Sequence, residues 1–165
     1  MTYDARDLAA AASRGPAMLR ALLDQGVDID VRLADLAKER HHNGQTALHV
    51  ATHAGDAAAA RVLLTSGADV GARRADGCGS ISLAAQVGHT EALKVLLAAG
   101  ADPKQADNDG CTPVFIAALN GHTEALEVLL AAGADPKQAN NRGASPVYIA
   151  AQEGEAEALK VLLAA

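Results

Sequence analysis

Between Gly110 and the last residue, apolar and polar positions fall into two short blocks that then recur. Six consecutive apolar residues, Val114 to Leu119, follow Thr112-Pro113 and stop at Asn120-Gly121. Proline holds φ near the helical value and suits a first turn, and a threonine just before it can cap the orphaned amides. The block therefore predicts a short helix over 114–119 that Asn-Gly terminates. The next block, Thr123 to Leu130, sets Ala125, Leu126, Leu129 and Leu130 at i, i+1, i+4 and i+5, one face of a 3.6-residue period. A second, amphipathic helix ending at Gly133 follows, and the stretch from Asp135 to Gly143 is Pro- and Asn-rich turn material.

This pattern repeats with a fixed period. Gly44, Gly77, Gly110 and Gly143 stand 33 residues apart, as do Gly55, Gly88, Gly121 and Gly154, and as do Gly67, Gly100 and Gly133, each of which precedes Ala-Asp. The segment GCTPVFIAALNGHTEALEVLL (110–130) matches GASPVYIAAQEGEAEALKVLL (143–163) at most apolar positions. A period of this length marks stacked supersecondary units that bury a continuous core between neighbours.

The residues Asp109-Gly110-Cys111-Thr112-Pro113, Ala117-Ala118, Gly121-His122, Leu129-Leu130 and Gly133-Ala134-Asp135 resemble the ankyrin repeat over nearly the whole chain. The resemblance implies an all-α solenoid: helix pairs stacked side by side, with β-hairpin-like loops projecting to one side in an L-shaped cross-section. It also implies a single domain over 1–165 with five units at about 1–30, 41–72, 73–105, 106–138 and 139–165. The first unit is irregular, lacking the leading turn. An insertion of about 31–40 separates it from the second, because 16 positions run from Asp28 to Gly44 against 8 from Asp69 to Gly77. Either a lid over the edge of the first unit or a partner-contacting loop fits the insertion. The third unit reads Gly79-Ser80-Ile81-Ser82 where the family has Thr-Pro-Leu-His. It lacks both cap and helix-starting proline, so its first helix should have the weakest start in the stack. The sequence ends at Leu162-Leu163-Ala164-Ala165 with interior-type residues. The expectation is an end cut from a longer array or packed against another chain.

Composition narrows the function classes. Of 165 residues, 50% are hydrophobic and 40 are alanine, yet only Tyr3, Phe115 and Tyr148 are aromatic. Close stacking of thin helical layers suits such small side chains better than one thick core. Phe115 and Tyr148 stand at the family's His position in their units. Packing between units is the expectation for them, with partner binding as the alternative, since aromatics dominate binding hot spots. No apolar run approaches a membrane span. No basic segment followed by an apolar stretch opens the chain, so a secretory leader is not expected. The net charge of −6 argues against nonspecific nucleic-acid binding. The default is an intracellular, cytoplasmic protein, with the nucleus open. Residues 1–101 hold 10 basic and 11 acidic residues and 102–165 hold 4 and 9, net −1 and −5. The C-terminal half therefore favours a basic or neutral partner, unless that charge serves only solubility.

Catalytic signatures are missing. There is no phosphate-binding loop, no His-Glu-x-x-His and no Cys-x-x-Cys, and Gly143-Ala144-Ser145 runs on into Pro146 rather than completing a nucleophile elbow. No enzyme activity and no cofactor are expected. His49 matches a family histidine that links neighbouring repeats. His49 and His53, at i and i+4, are also a possible metal pair with His41 and His42 nearby; no metal site is assigned. Cys78 and Cys111 fall at equivalent turn positions one unit apart, beyond disulfide reach, and should be free thiols. The family's hydroxylated asparagine is replaced by Gly71, Lys104 and Lys137, so that modification is not expected.

The family binds partners along its loop tips and the inner face of its first helices. Carried over by register, the resemblance puts the partner-binding positions at the tips His42, Asn43, Gln45, Asp76, Asn108, Asp109 and Arg142. On the first helices they are Ser13, Arg14, His53, Gln86, Val87, Leu119, Asn120, Gln152 and Glu153. The function it implies is non-catalytic binding of another, unidentified protein, with no role at nucleic acid or membrane. The alternatives are a scaffold or targeting segment of a larger multidomain protein, or a metal- or ligand-responsive module.

Overall fold

The computed structural model describes residues 44–165 and, before them, Arg14, Ala17, Arg20, Ala21 and Asp24. Arg14, Ala17, Arg20 and Ala21 are helical, and the Asp24 N–H donates to the Arg20 carbonyl at 3.0 Å. The expected insertion at 31–40 lies outside the described residues, as do His41 and His42. Eight helices follow, two per unit: α1 (Ala47–His53), α2 (Ala57–Thr65), α3 (Ser80–Val87), α4 (Thr90–Ala98), α5 (Pro113–Leu119), α6 (Thr123–Ala131), α7 (Pro146–Glu153) and α8 (Ala156–Ala164). Among the described residues no helix is long and apolar enough to cross a membrane. The all-α helix-turn-helix solenoid expected from the sequence is what the chain forms.

Local sequence sets each helix start. Thr112 and Ser145 cap α5 and α7 by accepting from the N–H groups of Phe115 and Tyr148, both at 3.2 Å, and Pro113 and Pro146 fill the first turns. Thr46 caps α1 in a reciprocal box with His49 as its third helical residue, whose Nδ1 lies 3.0 Å from Thr46 N. Helix α3 has none of this: Gly79 stands at its N-cap with no side chain to offer. The buried hydroxyls of Ser80 and Ser82 also lack a hydrogen-bond partner.

The first helices α1, α3, α5 and α7 pack in one row and the second helices in another. Alanine makes this spacing possible. Ala51, Ala84, Ala117 and Ala150, one per unit, have no exposed surface, and Ala59, Ala92, Ala125 and Ala158 form a second column no more than 1% exposed. Leu63, Leu96, Leu129 and Leu162 supply the bulk in a third column, also buried. Burying each leucine contributes roughly 1.5–3 kcal/mol of transfer free energy.

The projecting loops are tight hairpins closed by backbone bonds: Arg74 N–H to the Cys78 carbonyl, Asp107 to Cys111 and Asn140 to Ala144, at 2.9, 3.0 and 2.9 Å. Neighbouring loops are then locked together. Asn108 N–H donates to the Asp76 carbonyl and its side-chain amide to the Ala75 carbonyl. Asn141 does the same to Asp109 and Asn108. A second lock joins the helices. His89 Nε2 lies 3.2 Å from the His53 carbonyl and His122 Nε2 lies 3.1 Å from the Gln86 carbonyl.

His49 Nδ1 serves the cap at Thr46, and links between described units are made by His89 and His122. These sit where the chain enters a second helix, so their rings lie over the end of the preceding unit's first helix. One expectation needs correction, because the two aromatics part company: Phe115 is 5% exposed and packed, whereas Tyr148 is 58% exposed.

The bare start of α3 yields a prediction. Gly79 has φ −93° and ψ 172°, an extended conformation compatible with a following proline. Ser80→Pro would restore the residue found at Pro113 and Pro146, remove an orphaned hydroxyl and restrict the unfolded chain. It should stabilise the protein by about 0.5–1 kcal/mol in urea unfolding; a loss of stability contradicts the account of this helix start.

Candidate partner-binding site

A cleft of about 840 Å3 opens between the loops and first helices of the last two units. Phe115 and Ile149 line its inner part, and Leu119 and Tyr148 stand in it more exposed, at 38% and 58%. Asp109, Asn140, Arg142 and Gln152 supply its polar groups. The loop side is held rigid because Asn140 Oδ1 accepts from the N–H groups of Arg142 and Ala144, each at 3.0 Å. On the helix side, the caps at Thr112 and Ser145 fix where α5 and α7 begin, and so where Phe115 and Tyr148 stand. The result is a cleft in which apolar side chains lie beside one acid and one guanidinium.

Of the positions carried over from the family, Asp109, Leu119, Arg142 and Gln152 meet in this cleft. His53, Asp76, Gln86, Val87, Asn108, Asn120 and Glu153 are exposed but stand outside it, and Arg14 is exposed. Ser13, His42 and Asn43 lie outside the described residues. Gln45 is a correction: it is only 9% exposed, because the chain there has already turned inward toward Thr46 and Ala47, which are buried. Its counterparts Cys78, Cys111 and Ala144 are half-buried for the same reason, so the loop tips lie two or three residues earlier. Asn108 has a structural task as well, since its amide holds the preceding loop. Asp76 is paired with Arg74 at 2.7 Å. Phe115, Asn140 and Tyr148 were not among the carried-over positions. The scarcity of aromatics was the one sequence signal that pointed to two of them.

His49 is fully buried and bonded to Thr46, whereas the neighbouring His53 side chain faces solvent, and His41 and His42 lie outside the described residues. Among the described residues no three His, Cys, Asp or Glu side chains converge.

Cys78 and Cys111 are free, half-buried thiols. Burial, reinforced by the Asp76 and Asp107 carboxylates, pushes the Cys78 thiol from its ordinary 9.0 up to about 11. Burial likewise raises Cys111. A thiol that holds its proton more tightly folded than unfolded favours folding below pH 9, and that contribution is lost as pH rises from about 9 toward about 11. Because the thiolate is the nucleophile, alkylation of Cys78 by iodoacetamide at pH 9 should be tens of times slower in the folded protein than in urea. Equal rates would contradict the placement of this thiol.

The family model for ankyrin repeats (3 copies) matches residues 7–74 and 81–165. The interval between the two matches, 75–80, is the loop and helix start that lacks Thr-Pro. No curated protein matches the chain. Ankyrin repeats generally serve as protein–protein interaction modules and are typically non-catalytic. With the 33-residue period, the paired helices and the interlocked hairpin loops all in place, the chain belongs to the ankyrin-repeat family.

Proposed function

We propose that this protein binds a partner protein through the cleft at Phe115, Leu119 and Tyr148, and that binding extends along the exposed ends of the first helices at Gln86 and Val87. The observation that carries this reading is the concentration of exposed apolar side chains on one side of the stack. Val87, Leu119 and Tyr148 are three of the four large hydrophobic residues exposed among the described residues, and two of them line the cleft. Aromatic side chains in partly enclosed sites dominate the energetics of protein interfaces. The loop tips at Asp109 and Arg142 give such a partner polar contacts at the rim. The acidic balance of the C-terminal half favours a basic or neutral partner surface and disfavours nucleic acid. The protein acts as a non-catalytic binding unit of the cytoplasm in this reading.

Affinity capture from native lysate tests it. The unmodified chain should retain a partner that Leu119→Arg releases, since a guanidinium would stand in the apolar cleft, and Gln86→Arg should weaken retention. Both variants lie at exposed positions, so folding should be kept, which circular dichroism checks. Retention unchanged by both substitutions would place the binding site elsewhere.

A further inference from the structure

Two histidines and one glutamate hold the same place in successive units. His89 and His122 lie on Gly55 and Gly88, the glycines at or just past the ends of α1 and α3. Each glycine is a seat: a Cβ on it would stand 2.7 Å from a ring atom of the histidine. From the seat, the imidazole Nε2 reaches a backbone carbonyl of the preceding unit, that of His53 at 3.2 Å and that of Gln86 at 3.1 Å. The next seat is Gly121, and the side chain that covers it is Glu155. In the same register its target is the Leu119 carbonyl.

A carboxylate has no hydrogen to give that carbonyl. Leu119 ends α5, and nothing among the described residues donates to its oxygen. The N–H groups of Asn120, Gly121 and His122 go to the carbonyls of Ile116, Ala118 and Ala117 instead. The carboxylate is not used elsewhere either. Glu155 stands at the N-cap of α8 but accepts nothing from the amides of that helix. The ion pairs among the described residues are Arg74–Asp76, Lys94–Glu91 and Lys160–Glu157, and none involves Glu155. The half-buried Glu155 lies inside the stack, between the fourth and fifth units. The Leu119 side chain, 38% exposed, lines the cleft beside it.

Two acceptors brought together without a donor, one of them anionic, favour a cation that carries several N–H groups. We propose that Glu155 and the Leu119 carbonyl hold a basic side chain of the partner, an ammonium or a guanidinium, whose aliphatic stem lies along Leu119. Long basic side chains pack their stems on apolar surface while the charged head finds its acceptors. The inference rests on the reading that the cleft binds a protein, and adds which residue type that protein places at the helix-end side of the cleft. The exposed neighbours there, Asn120, Gln152 and Glu153, bring no positive charge. The cation of the cleft itself, Arg142, stands on the loop side, before α7 begins. The acidic balance of residues 102–165 acts in the same direction.

Peptides selected from a displayed random library on the unmodified chain supply the probe. Those that Leu119→Arg releases should carry lysine or arginine, and should bind Glu155→Gln about tenfold or more weakly. Replacing their basic residue with norleucine should cost as much, and should cost little further once Glu155 is glutamine. Peptides that need Leu119 but bind Glu155→Gln equally well would overturn this proposal and leave the cleft reading standing. Peptides indifferent to both substitutions, or a selection without binders, would overturn both. Calcium chloride that displaces the peptides at fixed ionic strength, and slows hydrogen exchange at the end of α5 without them, would overturn it in favour of an inorganic cation. The free carbonyl has its own readout. Glu155→His supplies the missing N–H, so it should raise the urea midpoint while losing the peptides. An unchanged or lowered midpoint contradicts the register on which the proposal stands.

Discussion

At or just past the ends of α1, α3 and α5 stands a glycine with φ between 68° and 77°, and the next unit lays a polar side chain directly upon it. Two demands meet at this one residue. The left-handed turn that reverses the chain into the second helix costs an ordinary residue roughly 1 kcal/mol or more. The covering ring or carboxylate leaves no room for a methyl group. Because the covering residue starts the second helix of its own unit, the seat fixes where that unit's helices stand relative to those before it. The His89 and His122 bonds to backbone carbonyls then hold the register. The last internal seat differs: Glu155 covers Gly121, but a carboxylate has no proton to donate to a carbonyl. The fifth unit is therefore tied to the fourth by packing, by Asn141 and by the Asn140 amide donating to Cys111 Sγ at 3.8 Å.

The alanine columns follow from the same spacing. With units held this close, the positions facing a neighbour at Ala51, Ala84, Ala117 and Ala150 have space for a methyl group and little else. Leucine supplies the bulk in the columns at Leu63, Leu96 and Leu129, and among the described residues the buried aromatic is Phe115. A composition that looks too poor in bulk for one core suits a core divided into thin layers. It also explains why exposed apolar surface collects where the layers open, at Leu119 and Tyr148.

Much of this was legible in the sequence. The three glycine series gave the unit length, Thr112-Pro113 and Ser145-Pro146 gave the helix starts, and Gly79-Ser80 marked the uncapped one. What was not legible depended on neighbours three dozen residues away. That His122 reaches over Gly88 to the Gln86 carbonyl of the preceding unit depends on how neighbouring units stack, which local pattern does not encode. The family register makes Gln45 a loop tip, yet the chain has already turned inward there. Phe115 and Tyr148 occupy the same register, and their different burial comes from what lies beyond each unit, which local pattern does not encode.

Gly88 and Gly154 allow the seat to be measured directly. They share register and backbone conformation, with φ 77° and 78°, and differ in that His122 covers the first while nothing lies within 4 Å of a Cβ on the second. Urea unfolding of Gly88→Ala and Gly154→Ala, each made also in a His122→Ala background, isolates the seat from backbone strain. Gly88→Ala should be the more damaging of the two by about 1 kcal/mol or more, and removing His122 should shrink that difference. Equal losses at the two glycines, or a difference that persists without His122, would contradict the claim that the covered glycine sets the stack.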